Sequence, residues 1–516
     1  MYVIKRSELA TSLPKKTKSL CPQCGRIISA EIYEKDGKIM YRKECPEHGV
    51  FDDVYFGDAE VFYRLTKWVV DGIGVHNPQT AVEKGCPYDC GLCPVHYSHT
   101  ALANVDLTNR CNMNCPICFA NANATGYVYE PSFEQVVNML RILREEKPVP
   151  CPAVQFAGGE PTIYPRFFDV IRAARDLGFA QIQVATNGIR LAEEPDFCQK
   201  MADAGLHTVY LQFDGFKEET YLRARGIKDF LKVKLKAIEN CRNVKPKPLA
   251  TVLVPTMVKG INDDEAGKMV DFALENLDVI RSVNYQPVAF TGRISKRELM
   301  EGRYTIGDLI DDLVNQTTYL EKEDFYSIPV AAIFAELASQ ICREPKVAFT
   351  PHPACGAATY LFKDYERNKV IPITRFINVD GVLEDLMPLI NEGYFEKHGK
   401  IRNILKLKKV LERNFDREEA PTGFKLRHIL AVFDEATKEA LGELHWNTLF
   451  IGTMHFQDPY NYDIERVMRC VIHYATPDGR IIPFCAYNSG PTFREEVEKK
   501  FSVPLDEWKK MHGGDV

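Results

Sequence analysis

Three cysteines in a Cys-x3-Cys-x2-Cys run, Cys111, Cys115 and Cys118, can anchor three of the four irons of a [4Fe–4S] cluster. A closed electron carrier brings a fourth cysteine; here one iron is left free to take a small molecule. A second run with the same spacing, Cys86, Cys90 and Cys93, lies 25 residues upstream. It has no preceding strand pattern and no glycine-rich partner, so it reads as the anchor of an auxiliary cluster whose fourth ligand comes from elsewhere, or as a zinc site. Cys21 and Cys24 of CPQC, with Cys45 and His48 of CPEH, form a third set. Four protein ligands make a closed site for zinc, or for iron in a rubredoxin-like knuckle, with His48 the least secure of the four. Among the distal cysteines, Cys470 and Cys485 flank a hairpin pattern turning at Asp478–Gly479, and Cys355 sits among small residues in PHPACGAA. Cys342 lies in a helical pattern where packing explains it as well as ligation does. With the Cys86 triplet, the ligand count permits one auxiliary cluster, or two if nearly all these distal cysteines join in or a non-cysteine ligand helps. Cys151, Cys198 and Cys241 read as packing residues.

The elements that must position these groups follow from periodicity. Apolar runs at 102–107, 153–157, 181–185, 207–213, 249–254 and 281–288 read as buried strands. Helix-period segments at 132–145, 165–177, 227–243 and 263–276 lie between them, the first opened by a Ser132/Gln135 capping box. Six β/α units in series give a partial parallel (β/α)6 barrel, which places chemistry in the loops after its strands. The Cys111–Cys118 run follows the first strand, Gly158–Gly159–Glu160 the second, Thr186–Asn187–Gly188 the third and Asp214–Gly215 the fourth. Glycines at 158 and 159 let the backbone approach a bound small molecule closely, and the Glu160 carboxylate can complement an amino group on it. Thr186, Asn187, Gln212 and Arg225 are further candidates for contacts to that ligand.

The expected organisation is a metal-binding ribbon over 1–60, with a hairpin turning at Asp36–Gly37. A connector carrying the auxiliary triplet (61–100), the barrel (101–330) and an α+β auxiliary-cluster and substrate domain (331–516) follow. A net charge of −6 argues against a nucleic-acid partner. No apolar run reaches the length of a membrane span, and residues 1–16 carry no export pattern, so a cytoplasmic location is expected. Clustered free thiols suit anaerobic or strongly reducing surroundings. In 396–415, basic residues beside Ile401, Ile404, Leu405 and Leu411 could meet an anionic membrane surface, or simply dock by an apolar stripe.

Residues 102–293, with CNMNCPIC, FAGGEPT, VATNG, LQFDG, Arg225–Gly226 and QPVAFTGR, resemble the radical SAM superfamily. The resemblance implies a cluster that binds S-adenosylmethionine (SAM) through its amino and carboxylate groups, with Gly158, Gly159, Glu160, Thr186, Asn187, Gln212 and Arg225 as candidate SAM contacts. An external one-electron reductant then drives cleavage to methionine and a hydrogen-abstracting 5′-deoxyadenosyl radical. Ile117 stands where many members carry an aromatic residue before the third cysteine. The run GCPYDCGLCPVHYSHTALANVDLTNRCNMNCPICFANAN, behind the CPQC…CPEHG ribbon, looks like the archaeal tetraether lipid synthase family, a group earlier associated with methylation of a pterin precursor. That closer resemblance implies joining of the terminal methyl carbons of archaeal diether lipid tails, with two SAM molecules consumed per bond. The alternative is a radical methyltransferase or modifier of a pterin precursor, another small heterocycle or a peptide. A non-enzymatic electron carrier is a third reading, disfavoured by Glu160 and the missing fourth cysteine.

Overall fold

The structure is a computed structural model describing residues 13–293, 302–434, 448–490 and 493–513. Residues 1–12, which carry most of the stretch read for an export pattern, lie outside that set.

The N-terminal ribbon is a four-stranded antiparallel sheet in sequence order: β1 (Lys15–Leu20), β2 (Ile27–Lys35), β3 (Lys38–Cys45) and β4 (Gly49–Phe56). The β2–β3 hairpin turns at Asp36 and Gly37, both at positive φ (51° and 70°), as the Asp-Gly pair predicts. The helix Ala59–Thr66, capped by Asp58, leads into an irregular connector that carries the Cys86 triplet.

The six expected barrel strands are Leu102–Thr108, Ala153–Gly158, Gln181–Thr186, Thr208–Gln212, Ala250–Val254 and Ile280–Pro287, all paired in parallel and in sequence order. The helix Phe133–Arg144 carries the expected capping box. It buries Val136, Met139, Leu140 and Leu143, spaced for one helical face, against the sheet.

The sheet also runs on into the C-terminal zone. Leu449–Thr453 pairs in parallel with Ile280–Pro287, and Ile472–Ala475 pairs in parallel with Leu102–Thr108. The barrel wall is thus extended by a parallel strand at each end, and the C-terminal zone is woven into the same sheet. Antiparallel hairpins continue outward: Ala357–Asp364 beside Leu449–Thr453, and Ile481–Pro483 beside Ile472–Ala475, the latter turning at Gly479 (φ 87°).

A second core lies under the helices of 330–413. Here the basic helix Lys400–Arg413 is docked by Leu407, Val410 and Leu411, while Ile401 and Leu405 face outward. The apolar stripe read from the sequence is thus partly a packed face and partly solvent-exposed. Among the described residues no helix is long and apolar enough to cross a membrane.

Candidate active site and metal centres

The loop after the first barrel strand is held from several sides. Cys111 N–H donates to Asn123 Oδ1 (3.0 Å), and Asn123 Nδ2 donates back to the carbonyls of Cys111 (2.8 Å) and Met113 (3.1 Å). Arg293 donates to Asn114 Oδ1 (3.0 Å) and to the Cys115 carbonyl (3.2 Å), and its own N–H reaches the Cys118 carbonyl (3.0 Å). Arg225 forms a bidentate pair with buried Asp214 (2.8 and 2.7 Å) and donates to the Ile117 carbonyl (3.0 Å) and Thr256 Oγ1 (2.9 Å). Such planar two-point pairing fixes the guanidinium, and through it the middle of the cysteine loop.

Cys111, Cys115 and Cys118 face one cavity of about 300 Å³, together with Gly158, Gly159, Glu160, Thr186, Asn187, Gln212 and Arg225. Every SAM-site candidate named from the sequence therefore lines the same space. Among the described residues no fourth cysteine and no histidine lines it. That donor set fits a four-iron cluster with one iron left for an exogenous ligand. Burial and the neighbouring Glu160 carboxylate push the Cys111 thiol up to about 12, a shift that binding to cationic metal would reverse.

Glu160 is buried, and both its carboxylate oxygens accept hydrogen bonds, Oε2 only one. Oε1 accepts from Thr162 N–H (3.2 Å), Thr162 Oγ1 (2.6 Å) and Thr186 Oγ1 (2.8 Å); Oε2 accepts from Asn187 N–H (2.9 Å). Burial raises its pKa, and these bonds oppose the rise. In this structure Thr186 and Asn187 therefore orient Glu160, while the Asn187 amide also donates to Asn112 Oδ1 of the cysteine loop (2.7 Å). The two glycines answer a packing demand. A Cβ at Gly158 would lie 2.2 Å from the Thr108 carbonyl oxygen, and one at Gly159 2.2 Å from that of Arg110. The Gly159 and Glu160 N–H groups donate to those same carbonyls (2.7 and 2.9 Å). The close approach is between two chain segments, one of which enters the cysteine loop.

Lys234 is a residue sequence reading missed. Its Nζ is buried and donates to the Asn187 carbonyl (2.5 Å) and to Gln212 Oε1 (3.2 Å). Burial lowers its pKa to about 7. The available signal was its place on the apolar face of Phe230–Arg242, one turn after Phe230.

The remaining cysteines separate into groups. Cys21 Sγ, Cys24 Sγ, Cys45 Sγ and a His48 ring nitrogen lie within 4.8 Å of one another, a ready-made four-ligand metal site. Cys86, Cys90 and Cys93 are mutual neighbours, with Cys470 close to Cys90. Cys355, Cys470 and Cys485 line a second, larger cavity of about 1370 Å³ that shares Leu102, Tyr210, Met454, Phe456 and Ile472 with the first. Cys355 Sγ accepts from Arg466 Nε (3.3 Å) and Cys485 Sγ from Gln457 N–H (3.3 Å), bonds suited to thiolates. Cys342 ends the helix Val330–Cys342 and lines neither cavity. Cys198 and Cys241 pack against each other (3.7 Å), and Cys151 is buried under the barrel, as expected of packing residues.

Residues 105–273 match the radical SAM superfamily profile, and residues 13–57 match the HMPTM N-terminal zinc ribbon domain. A 7,8-dihydro-6-hydroxymethylpterin dimethyltransferase of Methanocaldococcus jannaschii is 50% identical over 510 residues, 98% of this chain and 99% of the relative. The chain belongs to that enzyme's family, within the radical SAM superfamily. A GTP 3′,8-cyclase of Clostridium acetobutylicum is 26% identical and aligns with 60% of this chain and 94% of its own. Among solved structures, methylornithine synthase (11% identity, TM-score 0.29) covers 42% of this chain and 64% of its own. The FeFe-hydrogenase maturase HydG of Carboxydothermus hydrogenoformans (14%, TM-score 0.32) covers 43% and 53%. Membership in the superfamily implies a [4Fe–4S] cluster and SAM, and the ribbon's four ligands fit a metal.

The family finding corrects the first functional expectation. The full-length relative is named for a pterin substrate, and the ribbon profile carries the same association, so coupling of lipid tails, and a lipid as substrate partner, are withdrawn.

Proposed function

We propose that this protein is a radical SAM methyltransferase acting on a reduced pterin, of the 7,8-dihydro-6-hydroxymethylpterin class. The observation that carries the reading is an alignment at 50% overall identity that covers 98% of this chain, with a relative named for that reaction. When bound, the cluster and SAM supply hydrogen-atom abstraction from an unactivated C–H bond, which acid–base groups cannot achieve.

The chain's own residues hold and orient. Glu160, locked by Thr162, Thr186 and Asn187, presents a fixed carboxylate for the SAM amino group. Arg225 keeps the cysteine loop in place through Asp214 and Ile117, and Lys234 braces Asn187 and Gln212 from behind. The thiols of Cys86, Cys90 and Cys93, and those of Cys355, Cys470 and Cys485, serve auxiliary clusters, leaving Cys342 a packing role. The division at residues 60, 100 and 330 separates ribbon, connector, barrel and C-terminal zone by task, although the sheet crosses the last boundary.

The test is anaerobic turnover of the reconstituted protein with excess SAM (one molecule cleaved for each radical and another supplying each methyl group), a low-potential one-electron reductant and 7,8-dihydro-6-hydroxymethylpterin. Mass spectrometry should find the pterin heavier by one or two methyl-for-hydrogen replacements. SAM cleavage that leaves the pterin mass unchanged would remove the proposal.

A further inference from the structure

The interior of the barrel carries polar groups that the SAM site does not use. Along Leu102–Thr108 alternate residues face opposite ways: Ala103, Val105 and Leu107 enter the core, while Leu102, Asn104 and Asp106 line the smaller cavity. Asn104 (1% exposed) and Asp106 (4%) are both buried. Gln183 Nε2 donates to Gln155 Oε1 (2.7 Å), and Gln155 Nε2 donates to Asn104 Oδ1 (2.7 Å). This relay fixes the Asn104 amide so that its oxygen is used and its nitrogen is left over. Asp106 Oδ2 accepts from Arg494 (2.9 Å). Asn104 Nδ2 and Asp106 Oδ1 are buried and have no hydrogen-bond partner.

A buried donor and a buried acceptor, two residues apart on one face of one strand, form a pair that asks for a ligand offering an acceptor beside a donor. The walls next to them are aromatic. Phe456 and Phe484 stack at 3.9 Å between centroids, with Phe119 and Tyr474 each against Phe484 (5.4 and 5.2 Å), and all four line the cavity. A flat heteroaromatic ring with an amide-like edge meets both demands.

We infer that Asn104 and Asp106 read the pyrimidinone edge of the pterin, Asp106 accepting from its N3–H and 2-amino side and Asn104 donating to its 4-oxo group. The inference rests on the pterin reading above and adds to it the residues that set specificity. Arg494 aims Asp106 and opposes the rise in its pKa that burial causes, and the Gln155–Gln183 relay keeps the Asn104 nitrogen turned outward. Neither residue is assigned to SAM, whose candidate contacts lie at or beyond the ends of the following strands and, for Arg225, on the helix Glu218–Arg225.

The experiment measures equilibrium binding to the cluster-loaded full-length protein under anaerobic conditions. The probes are 7,8-dihydro-6-hydroxymethylpterin, its 2-oxo analogue and SAM, each applied to wild type, Asp106→Asn and Asn104→Asp. Asn104→Asp retains the oxygen that Gln155 needs and places an acceptor oxygen where the free donor was. Iron content and thermal unfolding establish that each variant is folded, and two independent variants guard against the loss of either. Wild type should prefer the pterin over the 2-oxo analogue by about tenfold or more, because the site's carboxylate faces a donor in one and an oxygen in the other. Asp106→Asn should erase that preference. Asn104→Asp should weaken pterin binding by about tenfold, and SAM binding should stay within about twofold in both variants. Folded variants that bind pterin like wild type overturn the edge assignment and leave the pterin function standing. So do variants that lose SAM and pterin together. A wild-type protein that binds SAM but not the pterin overturns instead the functional reading beneath it.

Discussion

Lys234 shows how a single side chain can tie site and stability together. Its ammonium is buried against the Asn187 carbonyl and Gln212, and burial lowers its pKa to about 7. An unfolded lysine holds its proton to about pH 10. Between those values the unfolded chain binds more protons than the folded one, so stability should rise with pH from about 7 upward and be insensitive to this group below about 7. The gain has a ceiling on the order of 3–5 kcal/mol, reached only near the unfolded pKa. Urea midpoints of wild type and Lys234→Met, followed from about pH 6 to about pH 9, should run parallel at the acid end and diverge above neutrality, with the wild-type curve rising more steeply. Curves parallel throughout would show that the lysine keeps its proton. Sequence alone places this lysine in a charged helix; only the spacing from Phe230 to Ala237, Ile238 and Cys241 puts it on the buried face.

At the scale of elements, the site depends on two strand ends lying against each other. The segment Thr108–Arg110 enters the cysteine loop, and Gly158–Gly159 passes so close that a side chain at either glycine has no room. The obstacle at both is backbone carbonyl, which cannot rotate away as a side chain can. Gly159→Ala should push the start of the cysteine loop off its position, lowering iron incorporation and thermal stability together, with a cost of about 3 kcal/mol or more. Iron per chain after reconstitution, set beside the melting temperature, reports both; full iron with an unchanged melting point would refute the packing account. Much at this scale was legible. Six strands stood out as short apolar runs bounded by turn residues, and the chemistry fell in the loops after them because parallel barrels present their strand ends on one face. The glycines were legible as a close approach, but its object was not. The two C-terminal strands went unseen as barrel partners for a different reason. Ile472–Ala475 reads as one arm of a hairpin, which it is, but its second partner, Leu102, lies hundreds of residues away. Nothing local encodes a parallel pairing at that separation. Asn104 and Asp106 were hidden likewise, as polar interruptions in a run taken for a buried strand.

Across the whole molecule, the ribbon grips the chain that leads to the distal cysteines. Ser19 and Tyr41 both donate to the Tyr462 carbonyl (2.5 and 2.8 Å), and Lys43 reaches the Pro459 carbonyl (2.7 Å). Thr17 and Tyr55 hold the two oxygens of Asp463 (2.9 and 2.8 Å). These donors sit on β1, β3 and β4, and the segment they fix runs straight into Cys470 and packs beside Cys90 and Cys485. On the other side, Tyr88 of the connector donates to the Gly25 carbonyl at the ribbon's metal loop (2.5 Å). A closed four-ligand metal site stabilises a small fold directly, because the unfolded ribbon has no such site. Losing that metal should therefore be felt beyond the ribbon. Cys45→Ser removes a buried ligand at the end of β3. The variant should bind about one metal ion fewer per chain, and hydrogen exchange should quicken in β1 to β4 and again over 457–470. Exchange in Gln181–Thr186, on a barrel strand away from the ribbon, should stay as in wild type. Were 457–470 to remain protected while the ribbon itself opened, the hydrogen bonds across the junction would hold that segment without the metal, and the ribbon would be a passenger on the auxiliary centre.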